Sequence, residues 1–91
     1  MTALNIYSNL HFRFSFFILV DMEKRIAWTT AAISEFAKAK SLTIKQAFNY
    51  LSLFKGFEFL QKHYEAEHLL SFDDAVDDMT AICLKNGGQL R

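Results

Sequence analysis

Proline is absent from this chain, glycine occurs three times and cysteine once, and ten basic residues balance ten acidic ones to a formal charge of zero. With no proline, no repeat and no low-complexity tract, nothing marks a linker or a second domain. A single cysteine, Cys83, excludes an internal disulfide and any structural zinc site built on paired cysteines. It fits a reducing, cytoplasmic setting. The balanced charge removes the electrostatic excess that drives non-specific nucleic-acid binding. No stretch reaches the roughly 18 to 20 apolar residues of a membrane span, so no membrane association is expected.

What is present is hydrophobic: 52% of 91 residues, enough for one small core. A domain of this size buries only about 60% of the surface that its unfolded chain exposes, which leaves room for a partner to add stability. Charge is unevenly spread. Met22 to Lys62 carries seven Lys or Arg against three Glu, and His63 to Arg91 six acidic residues against two basic ones. Each half can steer a partner of opposite sign, unless the two halves neutralise each other across the fold.

Residues 1–21 differ from the rest. Leu10, Phe12, Phe14, Phe16, Ile18 and Val20 recur with a period of two, the signature of a strand. A lone strand among helices has nothing to pair with. Phe14 to Val20 is at the short limit for a signal-peptide core, and no small-residue cleavage site follows it. The expectation is an N-terminal extension, strand-like or disordered, translated in frame upstream of a functional start at Met22.

From Met22 onward the pattern is helical, and four helices are expected at roughly 22–40, 44–54, 57–68 and 72–86. In the first, Ile26, Thr30, Ile33 and Ala37 share a stripe, with Thr29 and Phe36 beside it. Trp28 projects to the opposite side, where it is either covered by another element or a candidate partner contact. Thr43 to Gln46 fits a capping box opening the second helix. Its broad apolar side holds Ile44, Ala47, Phe48, Leu51 and Phe54, widened by Tyr50 and Leu53. Gly56 is expected to close it in a left-handed conformation. Phe57, Leu60 and Tyr64 line the third helix. Ser71 caps the fourth, Asp73 and Asp74 complement its dipole, and Phe72, Val76, Met79 and Cys83 face the core before Asn86-Gly87-Gly88 ends it. The expected architecture is all-α: a single compact bundle over 22–88, followed by a frayed tail at 89–91.

Little here spells out a reaction. Tyr64 and His68 are neighbours on one helix face with Glu67 beside them, but without a nucleophile or phosphate cradle they read as a half-buried hydrogen-bonded pair. Cys83 reads as core. The HExxH spacing of a zinc site and the EF-hand loop of a calcium site are both missing. Neither enzymatic activity, nor a metal, nor a cofactor is therefore expected. Trp28, Glu67, His68, Asp74 and Asp78 are the candidate partner-binding residues, with Asp74, Asp78 and Lys85 forming a candidate docking strip on the last helix. A second reading treats residues 33–53 as a helix-turn-helix-like segment in which Lys38, Lys40, Lys45, Gln46 and Asn49 would meet DNA. That second helix is greasy and offers no Arg to read guanine.

The run Tyr50 to Gly56, then Tyr64, His68, Ser71 to Asp78 and Asn86-Gly87-Gly88, resembles the small bacterial family known as domain of unknown function 3791. The resemblance covers Met22 to Gly88 and leaves residues 1–21 outside. It implies a short helical protein of gut-type bacteria with no assigned activity. It further implies a neighbouring gene for an ADP-ribosyltransferase-like protein, in a toxin and antitoxin, or immunity, arrangement. The expected role is thus a non-enzymatic protein-interaction module whose partner is the product of a neighbouring gene, self-association being a further option. A DNA-binding regulator is the alternative.

Overall fold

The computed structural model describes residues 3–90, with side chains from residue 17 onward. Five helices follow one another: α1 Ala3–Lys40, α2 Ile44–Leu53, α3 Gly56–Lys62, α4 Tyr64–Glu67 and α5 Phe72–Lys85. No strand occurs among the described residues, so the all-α expectation holds.

The strand-like reading of the N-terminal segment is corrected, because residues 3–21 continue α1 as one helix of 38 residues. A helix satisfies backbone N–H and C=O groups within the segment, which an unpartnered strand cannot do. With no proline to interrupt it, the helix runs on until Ser41 turns left-handed at φ 56°. There Leu42 N–H donates to the Ala37 carbonyl at 2.8 Å, the closure of a Schellman turn.

The remaining helices pack on the C-terminal half of α1 only. Ala32, Ile33, Phe36 and Ala37 are buried against Ala47 and Leu51 of α2, Leu60 of α3, and Val76, Met79 and Cys83 of α5. Ile26, expected on the same core stripe, is 63% exposed, and Thr30 is exposed too. Later helices of 10, 7, 4 and 14 residues are too short to reach the rest of α1. The molecule therefore measures 66 × 22 × 21 Å, and its 17.7 Å radius of gyration exceeds the roughly 12 Å of a globule this long.

Both expected caps form. Thr43 Oγ1 accepts from Gln46 N–H at 3.1 Å while Gln46 Oε1 accepts from Thr43 N–H at 2.9 Å, and Ser71 Oγ accepts from Asp74 N–H at 3.1 Å. The third expected helix is broken at His63, and Leu60, Tyr64 and Glu67 are buried on either side of the break.

Gly56 has a different task from the one its position suggested. Lys55 takes the left-handed conformation, at φ 72°, and Gly56 begins α3. A Cβ at Gly56 would lie 2.6 Å from Leu51 Cδ2 and 2.9 Å from Cys83 Sγ. The glycine is needed for close approach of three helices. Gly88 works similarly: a Cβ there would meet Phe54 Cγ at 2.6 Å and the Cys83 carbonyl at 2.9 Å. Gly56→Ala is expected to destabilise the fold by about 1–3 kcal/mol through overpacking. Urea unfolding checks this, and an unchanged midpoint would contradict the close approach.

Candidate functional site

The residues that sequence reasoning nominated for partner contact are mostly drawn into the fold. Trp28 is half-buried, edge-on to Tyr64 at 5.7 Å between centroids and stacked on Phe72 at 6.3 Å, so α4 and α5 cover it. His68 stacks on Tyr64 at 4.6 Å, and its Nδ1 is 2.8 Å from the Tyr64 carbonyl. A carbonyl only accepts, so Nδ1 carries the hydrogen and is committed to that bond. On another side of the Tyr64 ring the Arg25 guanidinium lies 4.6 Å away, held by Glu65 at 2.6 Å and Asp21 at 3.0 Å. Asp74 and Lys85 remain exposed, and Asp78 is half-buried.

Glu67, nominated for outside contact, is only 6% exposed, and its Oε1 has no hydrogen-bond partner. Burial, followed by a hydrogen bond to Asp78 and the charge of that residue, pushes the Glu67 carboxyl up to about 7. With its proton on, Glu67 donates to the Asp78 carboxyl and no charge is stranded between α4 and α5. Cys83 is fully buried; burial raises its pKa, partly offset by hydrogen bonds from the Gly56 backbone and the Tyr50 side chain. The thiol stays protonated in the core, out of reach of a substrate. Among the described residues no three His, Cys, Asp or Glu side chains are grouped to hold a metal ion. No helix there is long and apolar enough to cross a membrane.

The nominated DNA-contact residues are placed less coherently. Lys38 lies 3.6 Å from Glu35, Lys40 sits over the Phe36 ring at 5.8 Å, and the Gln46 side chain is engaged in the capping box. Lys45 and Asn49 are exposed.

The feature that sequence reasoning missed is a groove of about 580 Å³ beside the exposed part of α1. Ile26, Thr29, Thr30 and Ile33 form one wall, and Ile44, Lys45 and Phe48 of α2 the other. Phe57 and Gln61 of α3 and Tyr64 of α4 make its base, with Arg25 at one end. Phe48 is braced edge-on against Phe57 at 5.2 Å. Ile26, Ile44 and Phe48 stay 63%, 59% and 43% exposed, so the groove is open, apolar and lined by two cations and no acid. In the sequence each of the three stands on the apolar side of its helix, the side that reads as inward-facing. The available signal was that one stripe of α1 carries more large side chains than helices as short as α2 and α3 can cover.

The model of the family described as "Protein of unknown function (DUF3791)" matches residues 27–86, about two thirds of the chain, and the chain belongs to that family. The matched segment starts beside Trp28 and ends at Asn86, so it contains the buried core of α1 to α5, but not the packed Gly88, and all of the groove lining except Ile26 and Arg25. No curated protein and no solved structure matches the chain.

The buried carboxyl generates a pH prediction. Glu67 binds its proton more tightly folded than unfolded, so its favourable contribution is complete below about 4.5 and is lost as pH rises through about 7. Glu67→Gln keeps a donor without a titrating proton. Its melting temperature relative to wild type should rise by at least about 5 °C between acid and mildly alkaline buffer. Calorimetry at both ends checks this, and parallel pH profiles would contradict it.

Proposed function

We propose that this domain is a non-enzymatic protein-interaction module that docks an apolar helix of another protein into the groove between α1 and α2. One observation carries the reading: Ile26, Ile44 and Phe48, three large apolar side chains, stand 63%, 59% and 43% exposed around one concave surface. Contiguous apolar patches of this kind mark interaction sites, because leaving them in water costs free energy that a partner recovers. Helix-in-groove recognition needs a rigid apolar trough with anchors on both walls, and the Phe48 to Phe57 contact stiffens one of them. Among the described residues, Cys83 is held in the interior and His68 Nδ1 is committed to the Tyr64 carbonyl, so neither is presented at the groove. A reducing, bacterial cytoplasm suits the unpaired thiol.

The finer reading is an antitoxin-like or immunity partner of a neighbouring ADP-ribosyltransferase-like toxin. It is supported by the family resemblance and by a small domain with apolar surface left to cover. The DNA-binding reading has weaker support, since the engagement of Lys38, Lys40 and Gln46 leaves few free donors for phosphate.

Co-expression with the neighbouring gene product should give a complex that co-purifies, and Ile44→Glu or Phe48→Glu should weaken it at least tenfold, as for central anchor residues. Capture unchanged by both substitutions contradicts docking in this groove. A gel shift on the chain's own promoter that is abolished by Lys45→Glu would favour the DNA reading instead.

A further inference from the structure

The apolar stripe of α1 does not stop at the groove. Leu19, Met22, Ile26, Thr30 and Ile33 follow one another at spacings of three or four, so they lie along one face of the helix. The first three are 57%, 53% and 63% exposed. Later members of the same line, Ile26, Thr30 and Ile33, form the α1 wall of the groove. One helix face is thus a projecting ridge over its first part and one side of a trough over its second.

We infer that, in the free protein, the groove is filled by α1 of a second copy of this chain, giving a two-fold symmetric dimer. The inference rests on reading the groove as a protein-docking surface and names its occupant. Ridge and trough on a single element are self-complementary when two copies meet antiparallel. With the axis beside Ile26, the second copy's Leu19 reaches the level of Ile33 and enters the space walled by Ile44 and Phe48. The reciprocal contact forms at the other end.

Charge agrees with this direction. The groove is lined by Arg25 and Lys45 with no acid, and Glu23 flanks the incoming stripe, where the same register brings it level with Thr29 of this cationic groove. Area agrees as well. Leu19, Met22, Ile26, Ile44 and Phe48, each about half exposed, offer roughly 500 Å² of apolar surface per copy, which with a polar rim approaches the ~800 Å² per partner of a stable complex. Cover of this kind also explains how α1 can carry Leu19, Met22 and Ile26 exposed along one face.

Sedimentation velocity on the full chain, from about 1 to 100 µM, should show a species of twice the 10.5 kDa chain mass. Leu19→Asp lies on the ridge, and Phe48→Glu in the groove. Each should raise the dissociation constant at least tenfold while helicity by circular dichroism stays unchanged. Ile26→Cys, beside the axis, should give a disulfide-linked dimer on mild oxidation, and Glu58→Cys, outside the groove, should not. A wild-type monomer at about 100 µM overturns the dimer, whether or not it sediments with lipid vesicles, and so does a dimer indifferent to both charge substitutions. The docking reading fails separately: it falls if Ile44→Glu and Phe48→Glu leave capture of the neighbouring product unchanged. Leu19→Asp, which leaves the groove intact, should retain that capture.

Discussion

The interior of this domain is built on small residues, and the rest of the structure follows from that constraint. Ala32, Ala37, Ala47 and Ala75 are buried, and Gly56 sits where even a methyl group would collide with Leu51 and Cys83. Small side chains let α1, α2, α3 and α5 approach closely, so a handful of larger ones, Phe36, Leu51, Leu60 and Met79, is enough to fill the space between them. A core assembled in this way is narrow. It cannot also take in Ile26, Ile44, Phe48 and Phe72, which end at its margins.

Those margins differ in character. On one side Phe72 is partly covered by Trp28, and the cluster is continued by Tyr64, His68 and Arg25 into a stack that ties α1 to α4 and α5. Aromatic and cationic groups satisfy one another there. On the other side Ile26, Ile44 and Phe48 line an open groove and stay exposed. The two sides explain why the nominated surface and the exposed one exchange places. Trp28 and Glu67 look like contacts along the chain yet serve the fold, while the apolar stripe looks like core and remains outside.

Much of the local structure is readable from residue order. Thr43 with Gln46, Ser71 with Asp74, and the Asn86-Gly87-Gly88 stop act within a few residues of themselves, so their roles need no knowledge of the rest of the chain. Val76, Met79 and Cys83 also end in the core as their spacing suggests. Periodicity shows which face of a helix is apolar, but coverage depends on how far neighbouring helices extend, so Ile26 and Ile44 read as inward-facing in the sequence yet lie exposed in the fold. Gly56 illustrates the same limit: its place after a helix suggests a left-handed turn, whereas its necessity comes from Leu51 and Cys83 crossing above it. Glu67 is buried by α4 and α5 meeting, an event between segments that no local pattern records. The period-two run before Val20 shows the converse, in that alternation alone does not make a strand where no second strand exists to accept it.

The central claim is that the exposed face of α1 and the α2 wall form one self-complementary docking surface, filled in the free protein by a second copy of the chain. Isoleucine-methyl nuclear magnetic resonance through a dilution series probes it most directly, because Ile26 and Ile44 lie in the groove and Ile82 lies outside it on α5. The account predicts that the Ile26 and Ile44 methyl signals move together with concentration and show contacts between chains, while Ile82 holds still. Concentration-independent Ile26 and Ile44 signals, or movement confined to Ile82, would contradict it.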